Sequence, residues 1–458
     1  METMNNYTGN ILIADLESGE CETEELSPGL VEKALGGAAL NMELYEKYKD
    51  RDPLILGTGF FTATFFPCSC LAVMTGISPI TGGIGHVPLT WQTGVELKLA
   101  GFDFVVILGK AAKPMRLWLH DGLSDLNDSE DIWGKDVWQS VDKIREVYGD
   151  DMIQSILIGK AGENKVPIAQ LSENYWGSAD TLGLAAVCGA KNLKAIAMRG
   201  LGSLEVADGF FQKSLELKNE ILSGAIKGKA GLKDFIAPLG LDAKLKEKIE
   251  SATHRINACY NCPYPCYTFL KYREAPSATA QNGVADPGCL TADLAGLARF
   301  HMLGIDAPQA MEKCFKSGLQ PAAAARILEK KGIKDLAAAE AALDALAAEG
   351  NDVKPDGQSP WPIEVALPQA AGIFSSAVPP KPLFAQVSNF GAQDAGQWWV
   401  QRQALAYTIG ICPIFALLAP EVTLEKVVEL VQMSAEWDAF SSDTLKNIID
   451  TLIKKSTG

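Results

Sequence analysis

Short apolar runs, bounded by glycine, proline and other turn residues, recur along the first two hundred residues of the chain. Such runs are typical of β-strands, whose buried segments are short and end at turns. They lie at residues 11–14, 53–57, 71–75, 104–108, 117–119, 156–158 and 195–198. Helical spacing of apolar residues interrupts them at 29–48 and 136–148. We predict a glycine-rich domain built on β-sheets over residues 1–203.

From about residue 204 the pattern changes to long helical periodicities with few strand signals. The predicted helices lie at residues 210–223, 234–251, 291–302, 308–317, 423–440 and 443–455, and the alanine-rich residues 321–349 are predicted to form one helix or a helix pair. Prolines and glycines between residues 350 and 382 predict an irregular crossover. We therefore predict an α+β fold, with a helical domain at 204–350 and a second helical domain, preceded by the crossover, at 351–458.

Length and charge narrow the class of protein. A chain of 458 residues with 47% hydrophobic residues can bury two or three domain cores. The formal charge of −15 argues against nucleic-acid binding, which needs a concentrated basic surface. We expect no membrane span, because no apolar run is long enough. The first residues do not resemble a secretory signal, so we expect a cytoplasmic protein with reduced thiols and no disulfides.

Three closely spaced cysteines carry the strongest chemical signal. Cys259, Cys262 and Cys266 form a C-x2-C-x3-C pattern within a segment rich in tyrosine and proline. Thiols at this spacing can hold a tetrahedral metal or three corners of an iron–sulfur cubane. A fourth ligand is then required from elsewhere in the chain.

Cys412 is the best candidate for that fourth ligand. Gly410 and Pro413 flank it, and they predict a turn that presents the thiol. Cys289 and Cys314 are the competitors. A tight trio completed by one distant cysteine is the usual arrangement for a [4Fe–4S] cluster, whereas a structural zinc usually has two C-x2-C pairs. A zinc site and plain buried thiols remain the alternatives.

A second cysteine pair, Cys68 and Cys70, has the weaker C-x-C spacing. On a strand both thiols would point to the same face of the sheet. We predict that this pair packs in the core as small hydrophobic residues, rather than forming a second metal or redox element.

Several phrases of the first half, read with the cysteine trio, resemble the aldehyde ferredoxin oxidoreductase family. These are tungsten-containing oxidoreductases, and the family also includes the catalytic subunit of a tungsten benzoyl-CoA reductase. The phrases lie at residues 35–39, 58–63, 78–82, 94–103, 133–136, 158–164 and 189–200. The resemblance implies a saddle of β-sheets that binds a bis-pterin, helical domains beyond it, and a [4Fe–4S] cluster close to the pterin.

The resemblance also implies site residues. The implied cluster ligands are Cys259, Cys262, Cys266 and Cys412. The implied cofactor-binding residues are Gly82, Gly83, Gly94, Gly183, Lys191 and Asp306. His86 follows a loop that the family turns toward its cofactor, and Asp286 would be an acid near the pocket; we predict both as catalytic candidates. The simpler interpretations are an ordinary loop histidine and a turn aspartate.

The chain departs from the family pattern where the family meets its pterin. Thr181 and Leu71 stand where arginines are expected, and residues 90–91 replace paired glycines. Tyr407 and His301 replace the leading aspartates of two related phrases. Anionic pterin groups need arginine forks or close backbone amides, so each change removes a favourable contact.

Two functions follow from these patterns. The first is an oxidoreductase that passes electrons between a tungstopterin centre, acting on an aldehyde-like substrate, and ferredoxin or a partner subunit. The alternative is a non-catalytic paralogue that keeps the fold and the cluster for electron relay or assembly. In both, we expect a homo- or hetero-oligomer.

Overall fold

The structure is a computed structural model that describes residues 5–272, 288–350, 353, 361–362, 372–375 and 395–457. Its first six strands form one mixed sheet in the order β2-β1-β6-β3-β4-β5. They are β1 (Asn10–Asp15), β2 (Glu20–Glu25), β3 (Leu54–Thr58), β4 (Ala72–Ile77), β5 (Ile84–Leu89) and β6 (Phe104–Leu108). Strands β1 and β6 are parallel, and the other pairs are antiparallel.

A second six-stranded sheet has the order β11-β10-β9-β12-β7-β8. Its strands are β7 (Met115–His120), β8 (Leu123–Asp128), β9 (Gln154–Leu157), β10 (Ser172–Glu173), β11 (Trp176–Gly177) and β12 (Leu193–Arg199). The helices of this half are α1 (Pro28–Ala34), α2 (Gly37–Tyr48), α3 (Thr93–Leu99), α4 (Val137–Tyr148), α5 (Lys160–Glu163) and α6 (Leu184–Ala190). The central strands β3, β4 and β6 are mainly apolar and almost wholly buried, with α2 packed against them, whereas the edge strands β2 and β8 are polar.

The second half is mainly helical. Its helices are α7 (Phe210–Ser223), α8 (Lys233–Leu239), α9 (Ala243–Ala252), α10 (Leu294–Met302), α11 (Ala307–Ser317), α12 (Pro321–Lys330), α13 (Leu336–Ala348), α14 (Ala395–Ile409), α15 (Pro413–Leu418), α16 (Leu424–Ala435) and α17 (Ser442–Thr457). A small antiparallel sheet joins β13 (Thr253–Asn257), β14 (Tyr267–Lys271) and β15 (Gly288–Thr291). None of the helices in these described segments is long and apolar enough to cross a bilayer.

The predicted α+β architecture, with sheets first and helices after, is confirmed. The structure differs in several details. The small sheet of β13 to β15 was not predicted within the helical half, and five strands of the first half, β2, β5, β8, β10 and β11, were not predicted either. The left-handed Gly240 splits the helix predicted at 234–251 into α8 and α9, because such a residue ends a helix. For residues 321–349, the structure has the predicted helix pair rather than the single helix, with the left-handed Gly332 between α12 and α13. Helix α14, which leads into the Cys412 turn, was also not predicted.

Candidate metal centre

Three loops from distant parts of the sequence meet at the cysteine trio. They are residues 59–71 between β3 and β4, residues 258–266 between β13 and β14, and the turn at residues 410–412 between α14 and α15. Backbone hydrogen bonds join them: Cys68 donates to the Asn261 carbonyl at 3.1 Å, and Leu71 donates to the Gly410 carbonyl at 3.1 Å. The three loops therefore form one connected unit.

Two glycines allow the N-terminal loop and the Cys412 turn to touch. Gly410 has a φ of +90°, in the left-handed region that favours glycine, and a Cβ there would lie 3.0 Å from the Gly59 Cα. Phe61, two residues beyond Gly59, donates to the Ile409 carbonyl at 2.8 Å. Backbone packs directly on backbone here, which fixes where the following cysteine lies.

The trio loop is held by its own side chains. Asn261, at a φ of +50°, donates from Nδ2 to the carbonyls of Phe65 and Phe66 at 2.7 and 3.0 Å. Lys218 of α7 donates to the Asn261 Oδ1 at 2.7 Å. The Tyr264 hydroxyl donates to the Gly231 carbonyl at 2.9 Å. One asparagine thus connects the trio loop to both the N-terminal loop and α7.

Six thiols gather where the loops meet. They belong to Cys68, Cys70, Cys259, Cys262, Cys266 and Cys412, and all are buried except Cys262, which is partly exposed. The thiol of Cys68 lies close enough to those of Cys70, Cys262 and Cys412 to affect its pKa, and the thiol of Cys70 lies close to that of Cys259. Cys266 lies close enough to Cys412 for their charges to interact. The structure thus brings Cys412 to the trio and adds the C-x-C pair.

The environment of these thiols favours one thiolate among them. Burial raises the pKa of Cys68 and of Cys266. The pKa of Cys70 is instead lowered to about 5, because the thiols of Cys259 and Cys68 donate hydrogen bonds to it. Since the thiolate is the form that binds metal, the pocket has the donor chemistry of a metal centre.

The donor set is compatible with a cluster, in which each ligand binds a separate iron. Within the described segments, no three or more histidine, cysteine, aspartate or glutamate side chains are placed to hold one metal ion together. A cubane needs no such convergence, because each of its irons takes a single thiolate. A buried set of thiols on several loops therefore fits a [4Fe–4S] cluster, and Cys259, Cys262, Cys266 and Cys412 are the residues that would hold it.

A cavity adjoins the thiols on the side of Cys266 and Cys412, and Thr90, Tyr267 and Asp293 help to line it. The Thr90 hydroxyl lies 3.0 Å from the Tyr267 hydroxyl. Burial raises the pKa of Asp293 to about 6. Asp293 was not singled out from the sequence, and the sequence did not place these three groups together, because the segments that carry them lie far apart in the chain.

Glu173, on the short strand β10, bonds to the same wall of the cavity. It accepts from the Thr90 amide at 2.9 Å and from the Thr93 hydroxyl at 2.6 Å. Burial, with a smaller contribution from a negative charge on Cys70, raises the pKa of Glu173 to about 7. A carboxyl that titrates near neutral pH is thus placed near the thiols, which is typical of functional sites.

In the glycine-rich segment that would bind a pterin, the backbone amides are hydrogen-bonded to a side chain of the protein itself. Asp180 is fully buried, and its Oδ1 accepts from the amides of Leu182 and Gly183 at 3.0 and 2.8 Å. Its Oδ2 accepts from Ala185 at 3.2 Å. The backbone amides that could cradle an anionic cofactor are therefore already bonded to a carboxylate. Leu71, which stands where an arginine is expected, is also buried. The segment around Asp180 therefore does not fit a tungstopterin.

The catalytic candidates are placed differently from each other. His86 lies on β5 with no exposed surface, its Nδ1 2.8 Å from the Thr75 hydroxyl and its Nε2 2.9 Å from the Ser456 hydroxyl. Burial lowers the pKa of His86 to about 3. The ring is therefore neutral and engaged at both nitrogens, which is typical of a structural histidine. Asp286 lies outside the described residues.

The implied cofactor-binding residues also have structural contacts. Lys191 is buried and donates to the Asp52 carboxylate at 2.7 Å and to the Gly109 carbonyl at 3.1 Å. Asp306 accepts from the Gln309 amide at 3.1 Å as the N-cap of α11. These contacts hold the fold together, and neither residue bonds to the cysteine loops in this way.

Of the four implied glycines, one lies beside the thiols and three lie elsewhere. Gly82 and Gly83 lie in an exposed turn before β5. Gly94 of α3 packs against the backbone near Cys70, where a Cβ would lie 2.7 Å from the Cys70 carbonyl oxygen. Gly183 precedes α6 with a φ of +76°, within the phrase that Asp180 fills. Only Gly94 therefore adjoins the thiols.

Comparison with known proteins identifies the first domain. Residues 11–200 match the family described as the N-terminal domain of aldehyde ferredoxin oxidoreductase. These residues form a domain of that family. The chain is 36% identical over 230 residues to the tungsten-containing aldehyde ferredoxin oxidoreductase of Pyrococcus abyssi, covering 48% of this chain and 38% of that protein.

Two further proteins of Pyrococcus furiosus are similar to this chain. The tungsten-containing aldehyde ferredoxin oxidoreductase is 30% identical over 292 residues, which is 56% of this chain and 48% of that protein. The WOR-like subunit of aliphatic sulfonate oxidoreductase is 32% identical over 226 residues, which is 44% of this chain and 36% of that protein. The matches thus span less than half the length of these relatives.

A solved structure shows that the fold extends beyond the matched domain. It is the active-site complex of benzoyl-coenzyme A reductase with 1,5-dienoyl-CoA, and the similarity covers 99% of this chain and 89% of that one. The TM-score is 0.76 at 18% sequence identity. The helical half, which the sequence comparisons match only in part, therefore shares the fold of that chain as well.

Proposed function

We propose that this chain is an iron–sulfur oxidoreductase of the family, in which four cysteines bind a [4Fe–4S] cluster. They are Cys259, Cys262, Cys266 and Cys412. The observation that carries the proposal is the meeting of the Cys412 turn with the trio, on one buried pocket, from distant parts of the sequence. When bound, such a cluster exchanges electrons one at a time.

The chain's own residues would set the conditions for that exchange. Burial of the thiols excludes water and lowers the local dielectric, which tunes a cluster's potential. Tyr264 and Tyr267 are both buried next to ligand cysteines. Cys262 alone is partly exposed, so we propose that electrons pass to ferredoxin or a partner subunit on its side. We expect the protein to form a homo- or hetero-oligomer.

The fuller form of the proposal adds the tungsten chemistry named for two relatives, the oxidation of an aldehyde-like substrate at a tungstopterin. The cavity beside Cys266 and Cys412 is the place where such a substrate would reach the thiols. Because the phrase around Asp180 does not fit a pterin, we derive no reaction step through that cofactor.

That same observation favours a second candidate function. Asp180 satisfies the amides of the pterin phrase, and Leu71 replaces an arginine, so the chain can fold without an anionic cofactor at this place. The second candidate is a paralogous subunit that keeps the cluster for electron relay or assembly and binds no tungstopterin.

Elemental analysis of protein purified without oxygen tests both functions. The cluster predicts about four irons per chain. Tungsten or molybdenum at about one per chain would support the oxidation of an aldehyde-like substrate, and iron without either metal would support the relay. Zinc without iron would refute the cluster and leave a zinc site.

A paired substitution tests the ligand assignment. We expect Cys412→Ser to lose most of its iron and the broad visible absorbance at about 400 nm. Cys314→Ser is the matched control, because Cys314 is equally buried but lies on α11, with Asp293 as its charged neighbour. Equal iron in the two variants would remove Cys412 from the ligand set.

A further inference from the structure

Helix α7 has a second apolar face besides the one that packs against the core. The core face is buried and includes Leu217 and Ile221. The second face has the spacing i, i+4 and i+11 of one helical stripe, and its side chains are exposed by 51%, 37% and 43% at Phe211, Leu215 and Leu222. A surface helix normally carries polar residues outside its core face, so an exposed apolar stripe indicates an interaction surface.

This stripe is continuous with the loop that carries the cysteine trio. The Phe65 ring meets the Phe211 ring edge-on at 4.8 Å, and Phe65 is itself 44% exposed. Lys218, which lies on the stripe, donates to the Asn261 Oδ1 at 2.7 Å, and the Asn261 amide donates to the Phe65 carbonyl at 2.7 Å. The next residue is Cys262, the partly exposed thiol. The apolar patch beside this thiol consists of Phe65, Phe211, Leu215 and Leu222.

The surroundings of the apolar patch are basic, although the chain as a whole is acidic. Residues 210–233 contain five lysines and two glutamates, a net charge of +3, whereas the whole chain carries −15. Both glutamates form ion pairs with lysines. Lys227 and Lys229 lie on the loop after α7, which is attached to the trio loop because Gly231 donates to the Pro265 carbonyl at 2.8 Å. The trio loop and the loop after β3 contain no charged residue that would offset these lysines.

The charges decide between two occupants of the apolar patch. In a two-fold contact between copies of this chain, the same surface lies on both sides, so the lysines of one copy would approach those of the other. An acidic partner is attracted by the same lysines. Interfaces between electron-transfer proteins are small, below about 1,200 Å² in total, so four apolar side chains with a charged rim suffice. The apolar patch therefore fits a small acidic protein better than a second copy.

We infer that the apolar patch and the lysines around it are the docking surface of a small acidic electron carrier of the ferredoxin class. This inference rests on the proposed function, because it requires a cluster behind Cys262. In each encounter one electron leaves the reduced cluster and reduces the iron–sulfur centre of the partner, and the two proteins then separate. The partner thus docks at α7, and the cavity beside Cys266 and Cys412 stays free for a small molecule.

Binding of a purified acidic ferredoxin with two [4Fe–4S] clusters tests the basic part of this surface. Isothermal titration calorimetry of the protein purified without oxygen should show binding at about 50 mM salt that weakens as the salt concentration rises, because salt screens the lysines. Lys227→Glu/Lys229→Glu should weaken the binding at least about tenfold. The control Lys110→Glu/Lys334→Glu makes the same change of net charge at two other exposed positions and should weaken it less than about threefold.

A second pair of variants tests the apolar contact in the same titration. Phe65→Ser/Phe211→Ser should weaken the binding at least about tenfold, because aromatic side chains at the centre of an interface contribute most of its energy. The control Leu123→Ser/Leu201→Ser removes two exposed apolar side chains elsewhere and should bind as the unaltered protein does. Circular dichroism identifies a variant that fails to fold, and the lysine variants then decide.

The outcomes separate the docking surface from the function on which it rests. Iron without ferredoxin binding, or equal binding by the patch variants and their controls, overturns the docking surface while the cluster stands. Absence of iron overturns the proposed function, and ferredoxin binding that depends on the apolar patch would still support the surface. Sedimentation of a dimer that Phe65→Ser/Phe211→Ser separates would assign the patch to a second copy and overturn the inference. Binding to phosphatidylserine vesicles in place of ferredoxin would overturn it as well.

Discussion

The contact between Gly410 and the N-terminal loop should decide whether the fourth cysteine reaches its place. In Gly410→Ala the new Cβ would overlap the Thr62 Oγ1 and lie 3.0 Å from the Gly59 Cα. The Thr62 hydroxyl accepts from the Gly59 amide at 2.9 Å and donates to the Leu71 carbonyl at 2.6 Å. The substitution therefore strains one residue and disturbs two buried hydrogen bonds.

The expected loss of stability is the sum of the backbone strain and the two disturbed hydrogen bonds. A left-handed alanine costs roughly 1–2 kcal/mol, and each disturbed hydrogen bond costs about 1 kcal/mol. We expect Gly410→Ala to lower the free energy of unfolding by roughly 3–4 kcal/mol. Gly304 offers a matched control, because it occupies the same position in a related phrase with a φ of +74°, and a Cβ there meets nothing within 4 Å. Gly304→Ala should cost only roughly 1–2 kcal/mol.

Urea unfolding followed by tryptophan fluorescence measures both variants, and circular dichroism checks that the transitions coincide. Replacing glycine by alanine reduces the conformational entropy of the unfolded chain in both variants, so this effect cancels when they are compared. Iron content after anaerobic purification should fall in Gly410→Ala and stay unchanged in Gly304→Ala. Equal losses of stability in the two variants, with equal iron, would refute the argument that backbone contact positions Cys412.

Three other variants test buried polar groups. Asp180→Ala removes the acceptor of five amides. Urea unfolding should show a free energy of unfolding lower by at least about 3 kcal/mol. The control Asp306→Ala removes an exposed helix cap and should cost about 1 kcal/mol. His86 has a pKa of about 3 when folded, below the ordinary 6.5, so the unfolded chain binds its proton first. Above pH 6.5, neutral His86 makes its full contribution to stability. As the pH drops toward 3, the free energy of unfolding should fall by up to about 1.4 kcal/mol per pH unit. Urea titrations at several pH values should show this dependence in the unaltered protein but not in His86→Gln. Arg402→Leu leaves three carbonyls after the Cys412 turn without their donor and should cost about 3 kcal/mol or more by the same measurement; a near-neutral result would show that water replaces the guanidinium.

Much of the fold and part of the site could be predicted because the signals are local. Short apolar runs located seven strands of the two large sheets, β1, β3, β4, β6, β7, β9 and β12, and helical spacing located most helices of the second half. The trio spacing and the Gly410 turn pointed to thiols that the structure brings together. A wrong prediction shows the limit of local rules: residues 234–251 were predicted as one helix, yet Gly240 separates α8 from α9.

The amino-acid sequence by itself determined the kind of elements, the family of the first domain and the presence of a tight cysteine trio, since these depend on neighbours a few residues apart. Only the tertiary structure decided which distant groups share a pocket. It placed Cys68 and Cys70 among the other thiols, filled the pterin phrase with Asp180 and buried His86. The physical reason is that these positions depend on contacts between segments far apart in the chain, where one left-handed residue or one close backbone approach redirects a side chain.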